Sequence, residues 1–427
     1  MLQQPTQDDE NSFISETQFC HNNALRIDLG AFQLDRNDFD YSEGPSSLVN
    51  ETNCVHLPTN FNNNYTFINK NNLNDDDSNN NNNNINNNIL RVGENLPEGF
   101  SIDELKPRHS LMNMFKEAKE KGTYLKVQAP MVRYSKLAFR LLCREYGCDV
   151  VYTPMIMSDC FHKSQKARDS DFTTHYYDSP LVVQFAANNP TDFSLACQLA
   201  APYCDGIDLN CGCPQPYVMK ESLGAALVTK PQKIFDMVHE ANNKFISGMS
   251  RPIGVKIRLH PEDDTLEFRK TIELARQIEM AGASWVTVHG RTHKQRTKNT
   301  KVNPDGPKTI KQILNVPVMH NGDIFTLGDS DRFAKETGCD GVMSARGLLS
   351  NPALFSGYDY VPFECIQRYL QIAIQIGGVP FHILQHHIMF MLYSHHQFLS
   401  ADVIEFSECT SVASILDFFE ERGLQVY

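Results

Sequence analysis

Between residues 124 and 345 the chain repeats a pattern that few folds satisfy: a short apolar run rich in strand-forming residues, then a stretch that suits a helix. The runs are YLKVQ (124–128), DVVYTPM (149–155), LVVQFA (181–186), GIDLNC (206–211), IGVKIRL (253–259), WVTVHG (285–290), PVMHNG (317–322) and GVMSA (341–345), eight in all. Helix-compatible segments such as Ser135–Tyr146, Pro231–Lys244, Leu266–Ala281 and Asp329–Thr337 lie between them. Strands that alternate with helices pair in parallel, since each helix carries the chain back along the sheet. Eight such units predict a closed (β/α)8 TIM barrel rather than an open sheet. The stretch from Pro154 to Pro180 shows no helical period and is expected to be an ordered loop.

The flanks read differently. Residues 1–95 hold the asparagine tracts Asn79–Asn84 and Asn86–Asn88, carry little apolar surface and are expected to be a disordered, acidic extension. The barrel, assigned to 96–357, opens with a lead-in helix at MFKEAKEKG, stopped by Gly122. Residues 358–427 read as a small C-terminal helical domain, broken at Pro380 and ending in the amphipathic SVASILDFFEERGL.

Charge and cysteine usage narrow the classes. Residues 1–122 carry 9 Lys+Arg against 19 Asp+Glu, so the remaining 305 residues are nearly neutral at 30 against 32. Within that body Arg291, Lys294, Arg296, Lys298, Lys301, Lys308 and Lys311 face Asp305 alone in sequence, a local basic stretch able to meet phosphates. Twelve cysteines without a secretory signal predict free thiols, and the N-terminus suggests cytosol or nucleus. No metal is expected. Cys211-Gly212-Cys213 lacks two further ligands, and His386, His387, His395 and His396 stand as adjacent pairs rather than at helical i, i+4 spacing, so surface histidines, exposed or facing a partner, are expected instead.

Barrel enzymes carry their chemistry where strands end. There this chain places Ala129-Pro130-Met131-Val132, Gln184, Asn210 through Pro214, Lys256, Arg258, His289-Gly290-Arg291, Asn321-Gly322-Asp323 and Ala345-Arg346-Gly347. Glycine turns after the seventh and eighth strands suit a phosphate, because bare backbone N–H groups approach the anion and Arg346 adds a charged fork. Lys256 on the wall could stabilise negative charge on a reduced flavin, or could simply pair with a carboxylate such as Asp208.

The strings APMVRYSKLAFR, DLNCGCPQ, VKIRL, VHGRT, NGDIF and GVMSARGLLSNPALF, in this order, resemble the tRNA-dihydrouridine synthase family from about Lys126 to Phe355. PFHILQHHIMFML and the terminal helix look like the eukaryotic branch that modifies D-loop positions 20a and 20b. The resemblance implies an FMN enzyme that uses NADPH, passes hydride from flavin N5 to uridine C6, and takes tRNA as partner. No run of roughly 18 uncharged apolar residues appears, so no membrane contact is expected, and a monomer is the expected state. The resemblance places Pro130, Met131, Val132, Gln184, Lys256, His289, Asn321, Gly322, Asp323, Ala345 and Arg346 around the FMN, with Asn210 touching flavin or uracil edge. Cys213 matches the donor of a proton to uridine C5, a task for which a thiol of ordinary pKa, roughly 8.5, suits neutral pH. Arg291, Lys294, Arg296 and Lys298 would meet RNA, and a turned-out base would need aromatic or cationic groups at the mouth. An FMN reductase of a free pyrimidine needs neither a basic stretch nor a helical tail. A tRNA-binding protein without catalysis would have no use for Cys213 and Lys256.

Overall fold

The computed structural model describes residues 89–92, 109–245, 250–263, 267–295 and 300–425. The asparagine tracts, Arg296 and Lys298 lie outside these residues. Eight strands form the barrel: β1 Leu125–Gln128, β2 Val150–Tyr152, β3 Leu181–Ala186, β4 Gly206–Cys211, β5 Ile253–Arg258, β6 Trp285–His289, β7 Val318–Asn321 and β8 Gly341–Ser344. Each pairs in parallel with its neighbour; β8 pairs β1 (Val342 opposite Lys126), and β2 pairs β3 (Val151 opposite Leu181), which closes the ring. All eight sit where the apolar runs predict.

The two-residue period of a strand sorts the side chains into two cores. Outward residues, among them Ile207, Leu209, Cys211, Val255, Ile257 and Val288, pack against the helices. Inward residues at the lower end, among them Val127, Tyr152, Val182, Trp285, Met319 and Met343, form a separate cluster. The lead-in helix α1 (Leu111–Glu120) closes that end by adding Leu111, Phe115 and Ala118. Trp285 lies so close to Gly254 that any Cβ there would meet its ring at 2.0 Å. Polar inward residues are thereby confined to the upper end.

The outer helices α2 (Leu137–Glu145), α3 (Pro190–Ala200), α4 (Pro231–Lys244), α5 (Arg269–Met280), α6 (Asp305–Ile313), α7 (Leu327–Thr337) and the short α8 (Arg346–Ser350) cover the barrel. Their ends follow local chemistry: Asn189 caps α3 with Pro190 behind it, and Thr326 and Asp329 form a capping box on α7. Two expectations need correction. The 154–180 stretch is not a plain loop but carries helices Ser158–Lys163 and Gln165–Asp171 and the short strands Ile156–Met157 and Thr174–His175. Six or seven residues are too few to show a helical period; tertiary bonds such as Gln165 Nε2 to Val92 O (2.7 Å) hold them. Residues 89–92 also belong to the folded body: Ile89–Leu90 pairs antiparallel with Thr174–His175, and Leu90 and Val92 are buried.

The C-terminal helices α9 (Phe363–Ile376), α10 (Phe381–Ser394), α11 (Ser400–Ser407) and α12 (Val412–Glu420) share one continuous core with the barrel helices. Arg368 of α9 grips Glu145 of α2 with two bonds of 2.7 and 2.6 Å. No helix among the described residues is long and apolar enough to cross a membrane.

Candidate active site

At the upper end of the barrel an open cavity of about 240 Å³ is lined by residues from all sides of the ring. Its floor is a chain of amides whose orientation is set from below. Asp208 accepts from Gln184 Nε2 (2.8 Å); Gln184 Oε1 accepts from Asn210 Nδ2 (2.8 Å); Asn210 Oδ1 then accepts from the backbone N–H of Gly212 (3.1 Å) and of Cys213 (2.9 Å). Because the backbone N–H groups of Gly212 and Cys213 can only donate, Asn210 has one allowed orientation, that of Gln184 follows from it, and the turn after β4 is fixed. Arg258 ties the same turn by donating to Gly212 O at 2.7 Å. Gly224 packs beneath: a Cβ there would lie 2.6 Å from Cys213 O and 3.0 Å from Cys213 Cβ. Cys213 is half-buried on the cavity wall, whereas Cys211 is fully buried and faces outward.

Across the cavity Lys256 Nζ donates to Asn321 Oδ1 at 2.8 Å, and Asn321 Nδ2 donates to Met343 O at 2.8 Å. Burial, helped by Arg258, brings the Lys256 amine down to about 8, while burial lifts the Asp208 carboxyl to about 7 against the pull of the Gln184 hydrogen bond and Lys256. Among the described residues nothing hydrogen-bonds Asp208 Oδ1. Burial and the cations Arg258, Lys256 and Arg291 hold His289 neutral, well below its usual value.

The structure sorts the expected residues. Pro130, Val132, Gln184, Asn210, Cys213, Lys256, His289, Asn321, Gly322, Asp323, Ala345 and Arg346 all line the one cavity. Met131 does not; its side chain packs into the main core, and its backbone N–H donates to Ser135 Oγ. The Asp323 carboxylate is engaged by Arg291 (2.7 and 2.6 Å) and lies 3.6 Å from Arg346, so it orients arginines rather than offering donors to an anion. Arg291 differs from the expectation for the same reason: it is buried, bound to Asp323 and to Thr300 O, and stands on the cavity wall rather than on the exposed basic stretch. Lys294 is exposed. Lys311 sits on α6, clamped by Asp340 at 2.6 Å, so the basic stretch offers fewer free charges than its composition suggests. Nor are all the histidines exposed: His387 is fully buried and stacks on Phe139, and His395 is buried.

Further residues in or near the cavity have no site role in the sequence expectations. Asp208 shares a face with Asn210, which the alternation in GIDLNC already signals. Phe325 lines the rim and is 41% exposed, and Tyr217, 60% exposed, stands four residues after Cys213. These two aromatics stand on the segments that follow β4 and β7.

Comparison with known proteins adds a family. Residues 127–407 match the model described as dihydrouridine synthase (Dus). The chain is 44% identical over 301 residues, 70% of its length, to a Homo sapiens protein named tRNA-dihydrouridine(20a/20b) synthase [NAD(P)+]-like, covering 92% of that protein. It is 43% identical over 293 residues to tRNA-dihydrouridine(20a/20b) synthase [NAD(P)+] of Saccharomyces cerevisiae, covering 68% of this chain and 77% of that one. A tRNA-dihydrouridine(16/17) synthase [NAD(P)(+)]-like protein of Mus musculus is 36% identical over 296 residues, 68% of this chain and 60% of that one.

Proposed function

Since the chain belongs to the dihydrouridine synthase family, we propose that its barrel mouth holds FMN and, with NADPH as reductant, reduces the 5,6 double bond of D-loop uridines 20a and 20b in tRNA. The enzyme is an NAD(P)-dependent tRNA-dihydrouridine synthase of the 20a/20b branch. The observation that carries the site assignment is convergence: Cys213, Lys256 and two glycine turns, far apart in sequence, line one cavity.

The residues present suit FMN. Behind β8 the backbone is kept bare, since a Cβ on Gly347 would come within 2.1 Å of Ile324 O, leaving N–H groups of this turn for a phosphate with Arg346 beside them. Lys256 is a buried cation whose hydrogen-bond partner is a neutral amide, so its charge is left for a ligand that carries negative charge. Gln184, Asn210 and His289 would line the ring. When bound, FMN would supply the two-electron hydride chemistry between NADPH and uracil C6.

The chain's own residues do the rest. The Cys213 thiol gives its proton to C5 and regains one from solvent, so that uridine, NADPH and one proton yield dihydrouridine and NADP+. Asn210 and Gly224 hold the Cys213 backbone so that the thiol stays on the cavity wall. Tyr217 and Phe325 offer faces on which a turned-out nucleotide can stack. The test is to map dihydrouridine in tRNA from cells lacking the protein and to restore it with purified enzyme, FMN and NADPH. Loss at 20a and 20b is expected. Unchanged dihydrouridine at both positions, with no reduction in vitro, overturns the reading.

A further inference from the structure

Beside the mouth one turn carries a strained arginine. Pro130 and Val132 line the cavity, and the next residue, Arg133, takes φ 71°. That left-handed conformation is unfavourable for a non-glycine residue and persists only where the surroundings impose it. Here they do. Ser135 Oγ accepts from Met131 N at 2.9 Å, and Tyr134 O accepts from His387 Nε2 at 3.0 Å. The Tyr134 ring stands edge-on to His387 (5.2 Å) and Phe390 (5.5 Å), which locks the turn against α10.

The turn sets Arg133 between the Cys213 turn and α10. On one side its charge acts on Tyr217 at the rim of the Cys213 turn; on the other it acts on His386 of α10, whose ring lies 3.3 Å from Tyr134 OH. His382, one turn earlier on α10, is exposed, 6.4 Å from His386 between ring centroids. Among the described residues neither Arg133 nor His382 has an ion pair or hydrogen bond; burial, with Arg133 nearby, lowers His386 from its usual value. A half-buried guanidinium without a counter-charge is costly unless a ligand supplies one.

We infer that Arg133, with His382 and His386 of α10, forms a grip for a backbone phosphate of the RNA strand next to the nucleotide whose base enters the cavity. The inference rests on the tRNA reading above. A guanidinium fork and two imidazole N–H groups are a phosphate's complement, and the position at the seam fits a strand that touches the barrel mouth and the helical tail together.

Three variants test it on the full chain with FMN: Arg133→Gln, Arg133→Gly and the double variant His382→Gln/His386→Gln. Removing the guanidinium should raise KM for unmodified tRNA by roughly tenfold, with kcat at saturating tRNA changing much less. The slope of log affinity against log salt should flatten by about 0.7–0.9, the value of one phosphate contact. Arg133→Gly relieves the φ strain, so it should melt no earlier than wild type while losing the same tRNA affinity; misfolding is then not the cause. The histidine double variant should weaken tRNA binding in the same direction. Wild-type KM and salt slope in Arg133→Gln and Arg133→Gly would overturn the phosphate grip while tRNA reduction stands. A wild-type enzyme that neither binds nor reduces tRNA would overturn the functional reading itself.

Discussion

At the scale of single residues, Lys256 shows what the barrel gives up to keep a site. A buried amine lowered to about 8 is destabilised in its charged form, so the folded state binds fewer protons than the unfolded one between about pH 8 and 10.5. Stability contributed at this position therefore rises with pH across that window, and the charge is a liability below it. Lys256→Met should make the FMN-free protein more stable to urea at pH 7 while weakening flavin retention. Equal stability and undiminished flavin would show that the charge is neither costly nor used. Cys213 gives the complementary case. Cys213→Ala should keep FMN and be reduced by NADPH at the wild-type rate, while oxidation by tRNA slows by roughly 10²–10⁴, the contribution of a positioned general acid. Cys211→Ala is the control, because that thiol faces the outer core. A slow Cys211 variant beside a fast Cys213 variant would reassign the donor.

At the scale of elements, the strands were legible because each is a short run dominated by apolar, strand-forming residues, and most of the site residues sit at or just beyond its upper end. What could not be read is whatever depends on distant partners. Arg291 looks free in a basic stretch until Asp323, 32 residues later, is folded against it. The segment after β2 is held by a buried pair, Arg140 to Asp178 at 2.7 Å, with Arg140 also donating to Ser135 O and Thr173 O. No local pattern announces such a pair. Both side chains are nearly fully buried, so Asp178→Ala should leave Arg140 uncompensated and destabilise the protein by about 3–5 kcal/mol in urea titration. A loss under 1 kcal/mol would mean that the segment is held by its apolar contacts and the pair adds little.

For the whole molecule, charge is divided along the chain. Residues 1–88 carry 13 acidic and 3 basic side chains, so removing them takes the net charge from −12 to −2 without touching any described residue. Self-repulsion of an anionic partner follows from such a balance. A chain starting at residue 89 should therefore bind tRNA faster than the full chain at low salt, and the gap should close as salt rises toward roughly 1 M, where screening acts within about 3 Å. Equal association rates at low salt would show that these charges act too far from the RNA to matter. A cut four residues later would remove Leu90 and Val92, which are part of the folded body.

Trp285, described above as packing on the barrel floor, is also the chain's one tryptophan. Its ring is 1% exposed, its Nε1 donates to Tyr152 OH at 3.1 Å, and it lies under the polar layer that would hold a yellow cofactor. The molecule thus carries a single internal lamp. Its emission should be blue-shifted in the folded protein, dim as FMN binds by energy transfer to the flavin, and shift to the red only when the barrel itself opens, so that one optical signal separates loss of cofactor from loss of fold.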